Sequence, residues 1–258
     1  MAAISMLFLI AVALACGGGG TSGGASSPLT GNWELSLQEH GVAEPPLFYT
    51  GFLIQNGSSV TGSVILGGGC DGVGPVTGTV DGQNLTLNIN EFGQDLSLIG
   101  SLPAASAPME GQFSTLAGAC TTPYASTGTW SAVLVSPLNG NFTGTLTSTP
   151  ASGIAPVNVN GTITQGPNTG SSTATLSGTI TATNPTSSFC GYLTTAVITG
   201  VISGEGATLD LFGPDGSLIS QISATVTPDG TSLSGNYIFG QLSKSCLGDQ
   251  GQLTLTFQ

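Results

Sequence analysis

Apolar and polar residues alternate in short runs along most of this chain of 258 residues. In the run NLTLNIN (84–90), Leu85, Leu87 and Ile89 fall on one face and polar side chains on the other, as a half-buried antiparallel strand requires. Similar runs recur at 59–66, 173–180 and 209–212. No window of a dozen residues beyond the N-terminal segment has helical spacing, so the pattern predicts an all-β protein.

Turn residues separate these runs. The pairs NG (56–57) and DG (81–82, 215–216 and 229–230) supply the positive φ that tight hairpins need. In the first half of the chain we count eight candidate strands, which start near residues 31, 48, 59, 75, 84, 95, 109 and 127. Eight meandering antiparallel strands predict a small closed barrel, with a two-sheet β-sandwich as the alternative.

The chain contains an internal repeat. The run LTGNWELSL (29–37) returns as LNGNFTGTL (138–146), and each copy closes with a strand-like run, at 128–134 and at 251–257. Two β-domains are therefore predicted, at 29–136 and 137–258, each near the usual size of a single domain. Because the junction at 135–137 is short, we expect the two domains to touch.

The composition is acidic and poor in charge. Thirteen acidic residues face one Lys and no Arg, which gives a formal net charge of −12. No basic patch exists to neutralise phosphates, so nucleic-acid binding is excluded, and anionic membrane surfaces are poor electrostatic partners for the same reason. Charged residues make up only 5% of the chain, against about 25% in ordinary proteins, so the solvated faces must consist of Ser, Thr, Asn and Gln.

The N-terminal segment has the features of an export signal. Residues 2–15 are apolar apart from Ser5, a run too short to span a bilayer as a helix but long enough for the core of a signal peptide. Residues 12–15 (VALA) precede Cys16, and this arrangement resembles the lipobox of bacterial lipoproteins. The resemblance implies a signal peptide at 1–15, cleavage before Cys16, and acyl chains on that cysteine. The Gly- and Ser-rich segment 16–28 is typical of a flexible tether.

The other four cysteines follow the repeat. In the first domain, Cys70 falls between the third and fourth predicted strands, and Cys120 between the seventh and eighth. In the second domain, Cys190 and Cys246 fall in the same two gaps. In an up-and-down meander these loops open at the same end, so a bridge within each domain is feasible. Of the three possible pairings the repeat favours 70 with 120 and 190 with 246, and each bridge would stabilise its domain by about 4 kcal/mol. Disulfides also fit an oxidising compartment.

The first strand carries a further resemblance. Gly31-x-Trp33 is similar to the Gly-x-Trp of lipocalins, which are eight-stranded barrels that hold apolar ligands. The resemblance implies that Trp33 packs across one end of a barrel, and we expect Trp33 and Trp130 to be core residues. Phe142 and Leu253 stand at the matching places of the second domain. In such a barrel the loops tied by disulfides would sit at the entrance of a ligand cavity.

Residues suited to catalysis are few. One acid–base cluster lies on the first strand and the loop after it, and it comprises Glu34, Glu39, His40 and Glu44. No Ser or Cys nucleophile in a Gly-rich elbow accompanies it. Glu91 and Asp95 flank a predicted hairpin loop, where paired carboxylates could cleave glycosides. We expect solvated loops in both cases, and therefore neither an enzyme nor a cofactor. A metal site is not expected either, because there is no C-x-x-C, one His and no Asp-x-Asp calcium loop.

These observations leave three hypotheses. The first is a lipid-anchored lipoprotein of a bacterial cell envelope, at the outer membrane or cell surface, with a binding or structural role and no catalysis. The second is a lipocalin-like carrier of a small apolar ligand, which requires a cavity of several hundred Å³. The third is a glycan-active hydrolase that uses Glu91 and Asp95. The C-terminal run LTLTF (253–257) raises an outer-membrane barrel as well, which the lack of aromatic girdles disfavours.

Overall fold

The computed structural model describes residues 29–68, 72–102, 108–116, 125–149, 155–183, 195–239 and 249–258. The predicted signal peptide, the tether and all five cysteines lie outside these ranges. In the ranges described, no helix is long and apolar enough to cross a membrane.

The chain forms two closed eight-stranded antiparallel barrels in tandem, which confirms the predicted fold class over the sandwich alternative. The strands of the first barrel are β1 (Gly31–Glu39), β2 (Leu47–Asn56), β3 (Ser59–Leu66), β4 (Gly72–Asp81), β5 (Asn84–Glu91), β6 (Gln94–Ser101), β7 (Met109–Thr115) and β8 (Ser126–Val135). Those of the second are β9 (Gly140–Ser148), β10 (Val157–Gln165), β11 (Ala174–Ala182), β12 (Ala196–Ser203), β13 (Gly206–Phe212), β14 (Leu218–Val226), β15 (Ser232–Phe239) and β16 (Gln250–Phe257).

Each barrel is a meander that closes on its first strand. Strand β1 pairs with β2 on one side and with β8 on the other, where Leu37 lies opposite Trp130. Strand β9 pairs in the same way with β10 and β16. Closure leaves no strand with an unpaired edge in either sheet, and so removes the usual route to edge-to-edge association.

The inward-facing side chains of each barrel form a hydrophobic core. The alternation in β5 places Leu85, Leu87 and Ile89 in the first core, as their spacing predicts. Trp33 and Trp130 belong to the same core, which confirms the expectation for both. Their counterparts in the repeat, Phe142 and Leu253, belong to the core of the second barrel. The two halves of the chain therefore use equivalent positions for equivalent packing.

The predicted cysteine loops start and finish at one end of each barrel. In the first barrel we call this end the mouth. It is the end at which β1 is followed by β2, β3 by β4, and β7 by β8, and the last two of these connections contain the cysteines. The second barrel has the corresponding end at the junctions of β11 with β12 and of β15 with β16. The strands thus have the arrangement that the disulfide hypothesis requires, while the cysteines and their pairing lie outside the described residues.

The two barrels touch, as the short junction predicts. The contact on the first barrel is formed by outward-facing residues of β1 and β2, which we call the docking face: Asn32, Glu34, Thr50 and Phe52. The contact on the second barrel includes the turn between β12 and β13, at 203–206, and the segment between β10 and β11, where Asn168 Nδ2 donates to Leu53 O at 2.9 Å. Outward positions of a barrel are normally solvated, but Asn32 and Phe52 are only 2% and 1% exposed, because the second barrel covers them.

Polar contacts fix this junction. The side-chain amide of Asn32 donates to Gly204 O at 2.8 Å and accepts from Gly204 N at 2.7 Å. Beside this pair, Ser203 Oγ donates to Thr50 Oγ1 at 2.8 Å. Gly204 has a φ of +56°. A Cβ at that position would lie 2.5 Å from Thr50 Cγ2, so both the turn and the close approach of the barrels require glycine.

Two carboxyl groups lie together at the edge of the junction. Glu205 N donates to Glu34 Oε2 at 3.0 Å. Partial burial, and then the negative charge of Glu34, raise the pKa of Glu205 above its ordinary value. A carboxyl group whose pKa is raised on folding disfavours the folded state once the pH rises through that pKa. Glu205 therefore makes the folded protein less stable at neutral pH than at acidic pH.

Candidate binding site at the mouth of the first barrel

A small cavity of about 140 Å³ opens at the mouth of the first barrel. It lies between the ends of the strands and the loop that joins β1 to β2. Its apolar wall consists of Leu37, Val42, Pro45, Leu47, Leu96 and Phe113. An apolar cavity of about 150 Å³ can hold one benzene molecule. The mouth is therefore large enough for an organic molecule with a single ring or a short alkyl chain.

A buried hydroxyl group faces this cavity. Ser126, the first residue of β8, lines it and is 7% exposed. In the part of the chain that the structure describes, Ser126 Oγ is one of two buried side-chain polar atoms without a hydrogen-bond partner. Leaving a buried hydroxyl group unpaired costs about 1 to 3 kcal/mol. A molecule that fills the cavity and makes this hydrogen bond would remove that cost.

The remaining polar groups of the cavity are mainly acceptors. Gln38 Nε2 donates to the backbone carbonyls of Glu39, Val42 and Glu44 at 3.4, 3.2 and 3.3 Å, and so ties the β1–β2 loop to its own strand. The amide hydrogens of Gln38 are therefore engaged. Glu39 and Glu44 also line the cavity, and an ionised carboxylate can only accept hydrogen bonds.

The barrel interior near the mouth is held by a buried polar pair. Tyr49 OH donates to Glu91 Oε1 at 2.5 Å, and both side chains are buried. The bond joins β2 to β5 across the interior of the barrel. A buried carboxylate needs such a partner. This pair fixes β2 and β5 relative to each other beneath the loops of the mouth.

The second barrel has its own buried polar cluster near the corresponding end. Ser148 Oγ donates to Asp249 Oδ2 at 3.0 Å, and Tyr237 OH donates to the same oxygen at 3.2 Å. Burial, together with the charge of Asp249, raises the pKa of Tyr237 to about 12, while its hydrogen bond with Ser148 lowers it. Tyr237 therefore keeps its proton over the physiological range and remains a donor to Asp249.

The predicted acid–base cluster is divided between two places. Glu39 and Glu44 line the mouth cavity, whereas Glu34 faces the other barrel at the docking face. His40 is exposed, and its backbone N–H donates to Thr127 O at 2.9 Å. Glu34 and Glu39 lie an odd number of positions apart on β1 and therefore point to opposite faces, so these four residues do not form one site.

The proposed glycosidase pair is separated for the same reason. Glu91 is 1% exposed and faces the barrel interior, where it accepts from Tyr49. Asp95 is exposed on the outside, and its Oδ1 accepts from Asn90 Nδ2 at 3.0 Å. Two carboxyl groups that cleave a glycoside must face one substrate. Glu91 and Asp95 face opposite sides of the barrel wall, so the hypothesis of a glycan-active hydrolase that uses this pair is wrong.

Within the described ranges, no group of three or more His, Cys, Asp or Glu is placed to hold a metal ion. Ser126 and Glu91 were not predicted to be interior groups at the mouth. For Glu91 a signal was present, because it continues the inward series of Leu85, Leu87 and Ile89. For Ser126 there was none, since it is one of many serines in a strand whose neighbours are also small and polar.

No family model matches the chain, and no curated protein sequence matches it. Among solved structures, the chain is similar to a protein of unknown function from the DUF3598 family of Nostoc punctiforme, with 10% identity and a TM-score of 0.26. That match covers 90% of this chain and 97% of the other.

The chain is also similar to two transferrin binding proteins B. For the protein of Neisseria meningitidis the identity is 10%, the TM-score 0.30, and the match covers 84% of this chain and 60% of the other. For the protein of Haemophilus parasuis the identity is 10%, the TM-score is 0.26, and the match covers 84% of this chain and 61% of the other. The chain thus spans about three fifths of the length of these two proteins. Similarities of this size transfer no function to this chain.

Proposed function

We propose that this chain is a lipoprotein of a bacterial cell envelope, anchored through lipid on Cys16, and that its first barrel binds a small organic molecule without catalysis. The observation that carries the binding role is the mouth cavity, in which an apolar wall surrounds the unpaired hydroxyl group of Ser126. The anchor rests on the lipobox-like residues 12–16.

The size of the cavity limits the ligand. A carrier of lipid-sized molecules needs several hundred Å³, whereas the mouth offers about 140 Å³. The inward side chains of the first barrel pack against one another below it. These features favour a ligand of about eight non-hydrogen atoms over the fatty ligand of the carrier hypothesis. An affinity of roughly 0.1 to 1 mM is reasonable for a molecule of this size.

Binding is tested on the chain produced from Cys16 onward, by NMR titration with toluene, benzyl alcohol and benzylamine. We expect at least one of these probes to shift the amide signals of Leu96, Phe113 and Ser126. The variant Ser126→Leu fills the cavity and should abolish the shifts. The matched control is Ser114→Leu, because Ser114 lies on the outer face of the neighbouring strand β7 and is exposed. Binding that survives in Ser126→Leu would place the ligand elsewhere and contradict the proposal.

The anchor is tested by the intact mass of the full chain extracted from bacterial membranes. We expect a product that begins at Cys16 and carries acyl groups, and a Cys16→Ala variant that lacks them. Thiol reduction should add two hydrogens for each of two disulfides. An unacylated Cys16 in the wild-type protein would overturn the anchor, and a mass unchanged by reduction would overturn the predicted bridges.

A further inference from the structure

We infer that the ligand of the mouth cavity is a small organic cation, of the class of primary amines with a single ring or a short alkyl body. The inference rests on the proposed binding function and specifies the chemistry of its ligand. Its starting point is the mismatch between the acceptors and the donors that line the cavity.

The carboxylate of Glu39 and the hydroxyl group of Ser126 are neighbours on the inner face. Glu39 pairs with Gly128 across the β1–β8 ladder, so Ser126 is its diagonal neighbour. Diagonal neighbours on one face of an antiparallel pair are about 7 to 8 Å apart at the backbone. Both side chains line the same cavity. A nitrogen placed between them can donate to both oxygens, because a hydrogen bond from nitrogen to oxygen spans about 2.9 Å.

Glu44 lines the same cavity from the β1–β2 loop, where it is exposed, and its carboxylate is the second one within reach of a ligand there. An ammonium group has three hydrogens to donate and no lone pair to accept with, which matches a site of two carboxylates and one hydroxyl group. An alcohol has one hydrogen to donate and carries no charge. A carboxylic acid anion would face Glu39 and Glu44 with the same sign of charge. The polar lining therefore selects a cation over a neutral or anionic molecule of equal size.

None of the residues that the structure describes is a Lys or an Arg. The sequence has a single Lys, at position 244, which lies outside the described residues, and no Arg. The net charge of −12 also favours the approach of cations in general. The apolar wall, which includes Leu96 and Phe113, favours an organic amine over a hydrated metal ion. The reason is that apolar surface contributes binding free energy only when it is buried against another apolar group.

The test compares three probes of nearly equal shape: benzylamine, benzyl alcohol and benzoate. We expect benzylamine to bind about tenfold more tightly than benzyl alcohol, and benzoate to bind least, in NMR titrations at pH 7 and low salt. Raising the salt concentration should reduce the preference for benzylamine, since part of it is electrostatic and screened. The Glu39→Gln/Glu44→Gln variant should bring the two affinities within about twofold of each other, and Ser126→Ala should weaken benzylamine about threefold.

The matched control is Glu110→Gln, which removes one charge from the exposed outer face of β7. It should leave the preference for benzylamine unchanged. If Glu110→Gln reduces that preference as much as the mouth variants do, the selectivity comes from net charge, and the inference is wrong. If benzyl alcohol binds as tightly as benzylamine at the mouth, the inference also fails while the proposed binding function stands. If no probe binds, both fail.

Discussion

Replacing Phe52 with alanine is expected to lower the free energy of unfolding by about 3 kcal/mol, the cost of removing a fully buried aromatic side chain. Phe52 lies on the outer face of β2 but packs into the hydrophobic core of the second barrel. The measurement is unfolding in urea, followed by tryptophan fluorescence for the first barrel, which holds Trp33 and Trp130, and by circular dichroism for both. We expect the two signals to separate in the variant, because the barrels lose their main apolar contact.

The chain provides a matched control for this experiment. Phe48 lies on the same strand, faces outward as Phe52 does, and is 50% exposed. Phe48→Ala should change the free energy of unfolding by no more than about 0.5 kcal/mol, as is usual for surface positions. Equal losses in the two variants would mean that Phe52 does not hold the barrels together.

The second large effect is expected for Asn32. Asn32→Ala removes both partners of the buried Gly204 backbone groups and should destabilise the protein by about 2 to 3 kcal/mol. Asn32→Asp keeps the shape but cannot donate to the carbonyl of Gly204, and it adds a third carboxylate beside Glu34 and Glu205. We expect its loss to be at least as large at pH 7, and to shrink as the pH falls towards 4.

The control for Asn32 is Asn84→Ala, at an exposed position at the start of β5 in the same barrel. It should unfold within about 0.5 kcal/mol of the wild-type protein. The amide exchange rate of Gly204 gives a local reading of the same contact. Exchange that is equally slow in Asn32→Ala and in the wild-type protein would show that the turn is held without Asn32.

The barrels could be predicted from the sequence because each strand and each turn is specified by residues that are close together in the chain. Alternation identifies the inner face of each strand, and the NG and DG pairs identify the turns. The predicted strand starts of the first barrel differ from the observed ones by at most three residues, at β4, which starts at Gly72 rather than 75. The run GVGP that opens this strand contains two Gly and one Pro, which disfavour strands, so the alternation of apolar and polar residues does not reveal where the strand starts.

The docking face could not be predicted in this way. Alternation shows that Asn32 and Phe52 share the outer face of their barrel, but it does not show what covers that face. The cover is the second barrel, whose turn at 203–206 is about 170 residues away from Asn32, and the contact depends on the relative orientation of two closed barrels. The size and lining of the mouth cavity could not be predicted for a related reason, since they depend on how the β1–β2 loop folds back over the strand ends.

The covered outer face has a consequence for the order in which the chain assembles during synthesis. The first barrel can close once Val135, the last residue of β8, has been made, because β8 supplies the final partner of β1. At that moment the turn at 203–206 does not yet exist, so Phe52 and Asn32 face water on a finished barrel. About seventy further residues must be added before they are covered. During this interval the chain has one folded barrel with an exposed aromatic side chain, a state that is prone to aggregation.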